Sequence, residues 1–525
     1  MSKKIKLYSI VLASLLSLAF MNSEAAGIND ISFMVKKFNI EGELPADFDE
    51  IDAILFNAQE RRYTLKELKD LSVTIEEVMR NEGYAFYRVV IPPQSLSTGD
   101  VTLKVVSFSL SDIEVKGNDY YDEINVLRSM PDLSLDKPIN TLALARGLKF
   151  ANYNSSKQIK VTFKQSEKTE QVKASINVDE GRPYNISFIA NNAGSEETGE
   201  FRLTAALQYN NLWNFDHTFN ASYTTSPDHA DEIMQYGFSY NAPIYYLKGW
   251  LTGYYAKSDS KSGQVAGGFD ISGSGEMYGM HYLQYLPSIK PLKSYQHWFD
   301  IGIDNRSFNN SIVLGAEDLG NNVRSLPISL KYKGEFPWKS MQLGFHIEWA
   351  KNLGVGSENT QAAYTDSRFG ATKDWDVLRY GMTSSVYYHQ WVFRGIFSGQ
   401  YTDDALISGE QLGLGGTYSV RGYQERETSA DSGNILKLEV HTPSWYNANL
   451  LTFFDYGHGN RNVALAEEAR KWQVSSAGIG VRWYWQQYIT FSLDWAFALN
   501  SAASLQENRT LAGDSDLHGS IMLKY

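Results

Sequence analysis

The stretch Ile489-Thr490-Phe491-Ser492-Leu493-Asp494-Trp495-Ala496-Phe497-Ala498-Leu499 decides the fold. In an extended chain, side chains alternate between two faces. Ile489, Phe491, Leu493, Trp495, Phe497 and Leu499 therefore share one face, and Thr490, Ser492, Asp494, Ala496 and Ala498 share the other. The first face is wholly large and apolar, and the second is small or polar. The run has the ~9–11 residues of a tilted transmembrane strand, whereas strands of soluble sheets mostly have ~5–6.

The same pattern recurs on either side. Ala477, Ile479, Val481, Trp483 and Trp485 alternate with Ser476, Gly478, Gly480, Arg482 and Tyr484. Met341, Leu343, Phe345, Ile347 and Trp349 alternate with Gln342, Gly344, His346 and Glu348. The C-terminal segment sets Leu517, Gly519, Ile521, Leu523 and Tyr525 against His518, Ser520, Met522 and Lys524. A sheet in lipid must pair every backbone group, so it must close on itself. From Pro183 to Tyr525 the alternation gives about sixteen strands. Long connections (257–274, 305–323, 351–374, 402–433, 458–471 and 500–516) interleave with short ones (210–215, 337–338, 389–390 and 486–487). Short turns on one edge and long loops on the other are the habit of outer-membrane barrels. The expected fold is thus an all-β transmembrane barrel of about sixteen antiparallel strands, with both chain ends on the periplasmic edge.

Before Gly181 the pattern is different. Phe33 to Gly42 alternates like a strand, and Thr64-Leu65-Lys66-Glu67 is a capping box for a helix carrying Leu68, Leu71, Ile75, Val78 and Met79, stopped by Gly83. Ala85 to Ile91 and Val101 to Val106 read as a strand pair. A second unit repeats the order. Ile113 to Gly117 is a strand, Pro138 suits the first turn of a helix running to Ala151, and strands lie near Ile159–Phe163 and Val172–Val178. Two small α+β units therefore precede the barrel. The expected boundaries are 1–25, 26–109, 110–181 and 182–525.

Met1 to Ala25 reads as a signal peptide: Lys3, Lys4 and Lys6, an apolar core from Leu7 to Met21, then Ser23-Glu24-Ala25. The chain has no cysteine and a net charge of -12, which excludes a disulfide framework and a thiolate metal site and argues against nucleic acid. No G-x-x-x-x-G-K-[ST], H-E-x-x-H or G-x-S-x-G motif is present, and the nine His are scattered. No catalytic residue, cofactor or metal is expected.

Four stretches resemble the outer-membrane transporters of two-partner secretion, the TpsB group that includes the haemolysin activators. Tyr63 to Gly117, with Gly83-Tyr84, Pro92-Pro93-Gln94 and Gly99, is similar to their first POTRA domain. Asn192 to Trp213 resembles the first hairpin of their barrel, and Val420-Arg421-Gly422-Tyr423 resembles the tip of a loop that folds into the pore. Phe453-Phe454-Asp455-Tyr456-Gly457 resembles their barrel-wall motif F-x-D-x-G. The resemblance implies that the two α+β units are POTRA domains and that Arg421, with Gly422 and Tyr423, holds loop 402–433 inside the barrel against Asp455. Physical chemistry points the same way. A carboxylate on a lipid face is costly, so Asp455 belongs in the lumen, and an arginine fork can bind it through two bonds.

Tyr525, a terminal aromatic on the lipid face, resembles the end signal read by the barrel-assembly machinery. Family members commonly begin with a plug helix. The seven residues Ala26 to Ser32 between the expected cleavage and the first strand leave no room for one, so the loop bearing Arg421 is the expected obstruction. The implied function is export of an unfolded partner (an adhesin, haemolysin or contact-dependent toxin) across the outer membrane, from POTRA domains in the periplasm. A barrel-assembly factor of the same superfamily, which also carries V-R-G-[FY], and a passive porin are the rivals.

Overall fold

The computed structural model describes residues 32–525 except 47, 195–198, 231–232, 259–261, 266–268, 273, 290–291, 293, 310–312, 315–316, 319–321 and 505–507. The expected signal segment, Met1 to Ala25, lies outside the described residues, as do residues 26–31. The chain forms two compact units. One holds the chain up to Ser109 together with Asp136–Leu142 and Ser166–Gln171; the other holds Leu110–Leu135, Ala143–Gln165 and Val172–Tyr525.

The first unit contains β1 (Ser32–Val35), β2 (Lys37–Glu41), α1 (Asp49–Ala58), β3 (Arg61–Thr64), α2 (Leu65–Asn81), β4 (Tyr87–Val90) and β5 (Asp100–Ser107). The single strand expected over Phe33–Gly42 is two strands that change partner at Lys36. The N–H groups of Lys36 and Lys37 both donate to the Gly99 carbonyl, at 2.7 and 3.4 Å. Upstream, β1 pairs antiparallel with β3; downstream, β2 runs parallel to β5. The capping box forms as read: the Thr64 N–H donates to Glu67 Oε2 at 2.7 Å and the Glu67 N–H donates to Thr64 Oγ1 at 3.3 Å. Val35, Ile51, Leu68, Ile75, Met79 and Leu103 are fully buried between the helices and the β2-β5-β4 sheet.

The next stretch contains β6 (Ser109–Lys116), α3 (Glu123–Arg128), α4 (Thr141–Ala151), β7 (Lys157–Gln165) and β8 (Gln171–Glu180). Its sheet order, β6-β8-β7, repeats the β2-β5-β4 order of the first. Pro138 lies ahead of α4 rather than in its first turn, and bridges Ser109 instead.

From Tyr184 the described chain is a closed antiparallel barrel of sixteen strands, Val323–Ser325 and Pro327–Pro337 together flanking one side of Gln296–Phe308. In Ile489–Ala498, Asp494, Ala496 and Ala498 are buried, while Trp495 and Phe497 are exposed on the outer surface. In Ala448–Asn460, Phe453, Asp455 and Gly457 face inward and Leu450 and Phe454 outward. The short turns carry exposed Trp213, Phe215, Tyr246, Trp338, Trp445 and Tyr446, and Trp485 ends the strand before another, together the aromatic girdle of one membrane–water interface. First and last strands meet through five residue pairs, from Ser187↔Lys524 to Asn191↔Ser520. Beyond them Tyr525 and Ile186 exchange backbone hydrogen bonds at 2.9 and 3.3 Å.

Within this unit the segment from β6 to β8 is seated on the girdle edge. Lys157 of β7 is fully buried, and its ammonium donates to Asp216 Oδ2 in the turn Trp213–Asp216 at 2.6 Å and to Asn125 Oδ1 at 2.7 Å. The Tyr245 hydroxyl, in the next short turn, donates to the same Asp216 oxygen at 2.5 Å. Burial lowers the pKa of Lys157, with the Asp216 carboxylate opposing it. Phe150 packs on Trp250 with ring centroids 4.1 Å apart, and Arg128 lies 4.2 Å above the Phe215 ring.

Candidate functional site

The connection between strands Trp391–Tyr401 and Ser432–His441 folds into the lumen. It makes a 3-10 turn at Ser408–Glu410, then a small hairpin of Leu412–Leu414 with Thr428–Ala430. Val420 and Tyr423, between the two arms, are at most 1% exposed, and Arg421 is 2% exposed.

Arg421 is surrounded by wall groups that face inward from three strands. Its Nε donates to Asp455 Oδ2 at 2.7 Å and its Nη2 to Asp455 Oδ1 at 2.9 Å, a bidentate fork, while its backbone N–H donates to Asp455 Oδ2 at 3.2 Å. The remaining nitrogen, Nη1, donates to Asp494 Oδ2 at 3.0 Å and lies 2.9 Å from Glu439 Oε1. The guanidinium sits 3.6 Å over the ring of Phe453, so one of its flat faces is covered while its edge is bonded. Asp494 is in turn bound by both Nη atoms of Arg482, at 2.6 and 2.8 Å. Truncating a buried charge that meets its partners this completely leaves the others uncompensated, at a cost of about 3–5 kcal/mol.

The neighbours of Arg421 fix the loop tip. Gly422 has φ +85°, and a Cβ there would stand 3.1 Å from that of Ala496. Its N–H donates to His518 Nε2 at 2.9 Å, which makes Nδ1 the protonated nitrogen, donating to Thr417 Oγ1 at 3.1 Å. The Tyr423 hydroxyl lies 2.9 Å from the Ser475 carbonyl and 2.7 Å from that of Asn500, and accepts from the Ser475 N–H at 3.2 Å. Gly457 lets the loop approach the wall: a Cβ there would meet Leu414 at 2.9 Å and Val420 at 3.1 Å. The structure thus brings Val420, Arg421, Gly422, Tyr423, Phe453, Asp455 and Gly457 together. Tyr525 is elsewhere, 67% exposed at the seam.

Other residues of the site were not singled out from sequence. Asp494 sits on the polar face of the strand quoted first, where an inward carboxylate was a legible signal. Glu439 on its own strand shares that signal, and Arg482 gives its cationic counterpart, a guanidinium on the small and polar face of its strand. Glu410, at the loop's 3-10 turn, is 2% exposed and accepts from Arg306 Nη1 and Arg379 Nη2, each at 2.9 Å, and from Ser325 Oγ at 2.7 Å. Asp431, at the loop's end, accepts two bonds from Arg368, at 2.8 and 3.1 Å, and one from the Asn462 N–H at 2.8 Å.

Comparison with known proteins agrees with this architecture. The family model for the haemolysin secretion/activation protein ShlB/FhaC/HecB matches residues 171–483, and that for a ShlB-type POTRA domain matches residues 33–107. The heme/hemopexin transporter protein HuxB of Haemophilus influenzae (strain 86-028NP) is 20% identical over 475 residues, covering 82% of this chain and 77% of its own. The outer membrane transporter CdiB of Dickeya dadantii (strain 3937) is 22% identical over 446 residues, 81% of this chain and 76% of its own. CdiB from Escherichia coli has the same fold, with a TM-score of 0.74 at 14% identity, over 97% of this chain and 93% of that one. BamA from Haemophilus ducreyi lacking POTRA domains 1-3 is less similar, with a TM-score of 0.51 at 12% identity, over 94% of this chain and 100% of that one. This chain therefore belongs to the haemolysin secretion/activation family of two-partner secretion transporters, with its barrel in the outer membrane and its N-terminal POTRA region in the periplasm.

Proposed function

We propose that this protein passes an unfolded secreted partner through its barrel, and that loop 402–433 is the obstacle that moves to let it through. The observation that carries this reading is the buried cluster at Arg421. The loop tip holds one cation against wall carboxylates from three strands, an arrangement that pins the tip inside the lumen. The partner is a large exoprotein of the adhesin, haemolysin or contact-dependent toxin kind. The POTRA region captures it as an added strand, since β2 and β4 end the first sheet's order and backbone bonds supply sequence-tolerant affinity. We read the β6–β8 segment as a second POTRA domain on the strength of its repeated strand order. No nucleotide motif supplies energy, so folding of the emerged chain biases its motion outward. No catalytic role is assigned to any residue. Tyr525 serves as the terminal signal for the barrel-assembly machinery, and deleting it should lower the amount of barrel in the membrane without changing secretion per inserted barrel.

The test is secretion of the candidate partner from cells carrying wild type, Arg421→Ala or a deletion of the gene. Deletion should trap the partner in the periplasm while other outer-membrane barrels assemble normally. Arg421→Ala should insert and yet secrete poorly. Normal secretion from the deletion strain, with other barrels failing to assemble, would replace this reading with that of an assembly factor.

A further inference from the structure

We infer that Glu410 is a second anchor of the pore loop, opposite in polarity to Arg421, and that the loop leaves the lumen only when both anchors break; this rests on the reading that the loop closes the pore. The two anchors use different parts of the wall. Arg421 reaches carboxylates on strands Ser432–His441, Ala448–Asn460 and Ile489–Ala498. Glu410 reaches guanidinium groups on strands Gln296–Phe308 and Asp376–Tyr388, and the hydroxyl of Ser325. The Arg421 contacts leave the six strands before Gln296 and the five from Gln296 to Tyr401 untouched, so one anchor cannot stand in for the other.

Each wall arginine is itself held. Arg306 also donates to Asp304 Oδ2 at 2.8 Å, and Asp304 accepts from the Tyr254 hydroxyl at 2.7 Å. Arg379 also donates to Gln400 Oε1 at 3.0 Å and to Glu348 Oε1 at 3.4 Å. Gln400 closes the ring by donating to the backbone carbonyls of Glu410 at 3.1 Å and Asp431 at 3.0 Å. A carboxylate with two charge-assisted bonds, wholly removed from solvent, is a stronger hold than an exposed pair, because little water competes for it. The wall arginines keep Asp304 and Glu348 when the loop departs, so unlatching strands the loop carboxylate rather than the wall. Glu410 lies on the stem and Arg421 at the tip. Loss of Arg421 alone therefore loosens the tip while the stem stays pinned.

The experiment compares ionic conductance across planar lipid bilayers for purified wild type, Glu410→Gln, Arg421→Ala, the double variant and a variant lacking 403–430. Heat-modifiable gel mobility confirms that each barrel is folded. The double variant should spend ~10-fold more time open than Arg421→Ala, the effect of losing one buried charge-assisted bond, and should approach the loop-deleted channel. Arg306→Gln with Arg379→Gln, which weakens the same anchor from the wall, should reproduce Glu410→Gln and keeps the test available if Glu410→Gln fails to fold. Equal open time for the double variant and Arg421→Ala, with the deleted channel wide open, would overturn the second anchor alone. A loop-deleted channel no more conductive than wild type would overturn the pore-loop reading, and the anchor with it.

Discussion

At the scale of single residues, the consequence of the Arg421 geometry is that charge alone is not enough. Lysine keeps the cation but has no planar fork, so it can serve one Asp455 oxygen and not the pair. Arg421→Lys should fall between wild type and Arg421→Ala in the temperature at which the folded barrel converts to its unfolded gel form. Gly422→Ala should also destabilise the closed loop, by about 1–2 kcal/mol for a left-handed backbone alone, before its methyl group meets Ala496. Raised channel open time with unchanged barrel yield would reveal it. Arg421 and Asp455 were legible only through their surrounding motifs, because nothing in a four-residue V-R-G-Y says what it touches. Glu410 was not legible. A glutamate in a long loop is solvated by default, and its partners lie 104 and 31 residues away, chosen by strand register and loop path.

At the scale of elements, two-residue periodicity carried the barrel, since each strand alone must satisfy lipid on one side and lumen on the other. The prediction that follows contrasts the faces. Ile479→Arg, on the outer face near the middle of Lys471–Trp485, should cost about 2–4 kcal/mol and lower the inserted fraction. Ser492→Arg, on the inner face of the adjacent strand, should insert normally. The start of α2 was equally legible, because a capping box is a local device. The Thr64 backbone N–H, then its hydroxyl, holds the Glu67 carboxyl below its ordinary pKa. A carboxyl with a depressed folded pKa contributes fully above its unfolded value and loses that contribution as pH falls through the folded one. Wild type and Glu67→Gln should thus differ in urea midpoint for the first unit at neutral pH and converge in acid. The break at Lys36 was not legible. It is set by the carbonyl of Gly99, more than sixty residues on, whose position no local pattern encodes.

At the scale of the whole molecule, alternating loop lengths gave the sense of the barrel, but not how the β6–β8 segment is seated on it. That seat depends on Lys157, which sequence marks as one more surface lysine and the fold buries completely against Asp216. Lys157→Met should leave Asp216 buried with hydrogen-bond donors but no cation, at a cost of about 3–5 kcal/mol. Faster protease cleavage between residues 180 and 184 in an intact barrel would report it, and Lys157→Met with Asp216→Leu should recover much of the loss. The inward-folded loop has a last consequence, for the cell rather than for the cargo. A barrel wide enough to thread a polypeptide is a breach in the outer envelope whenever it stands empty, and on the function proposed above what seals it is a handful of ion pairs on a tether. Cells expressing a variant with weakened anchors should become sensitive to large hydrophilic antibiotics and to bile salts that the intact envelope keeps out, even when they make no partner to secrete.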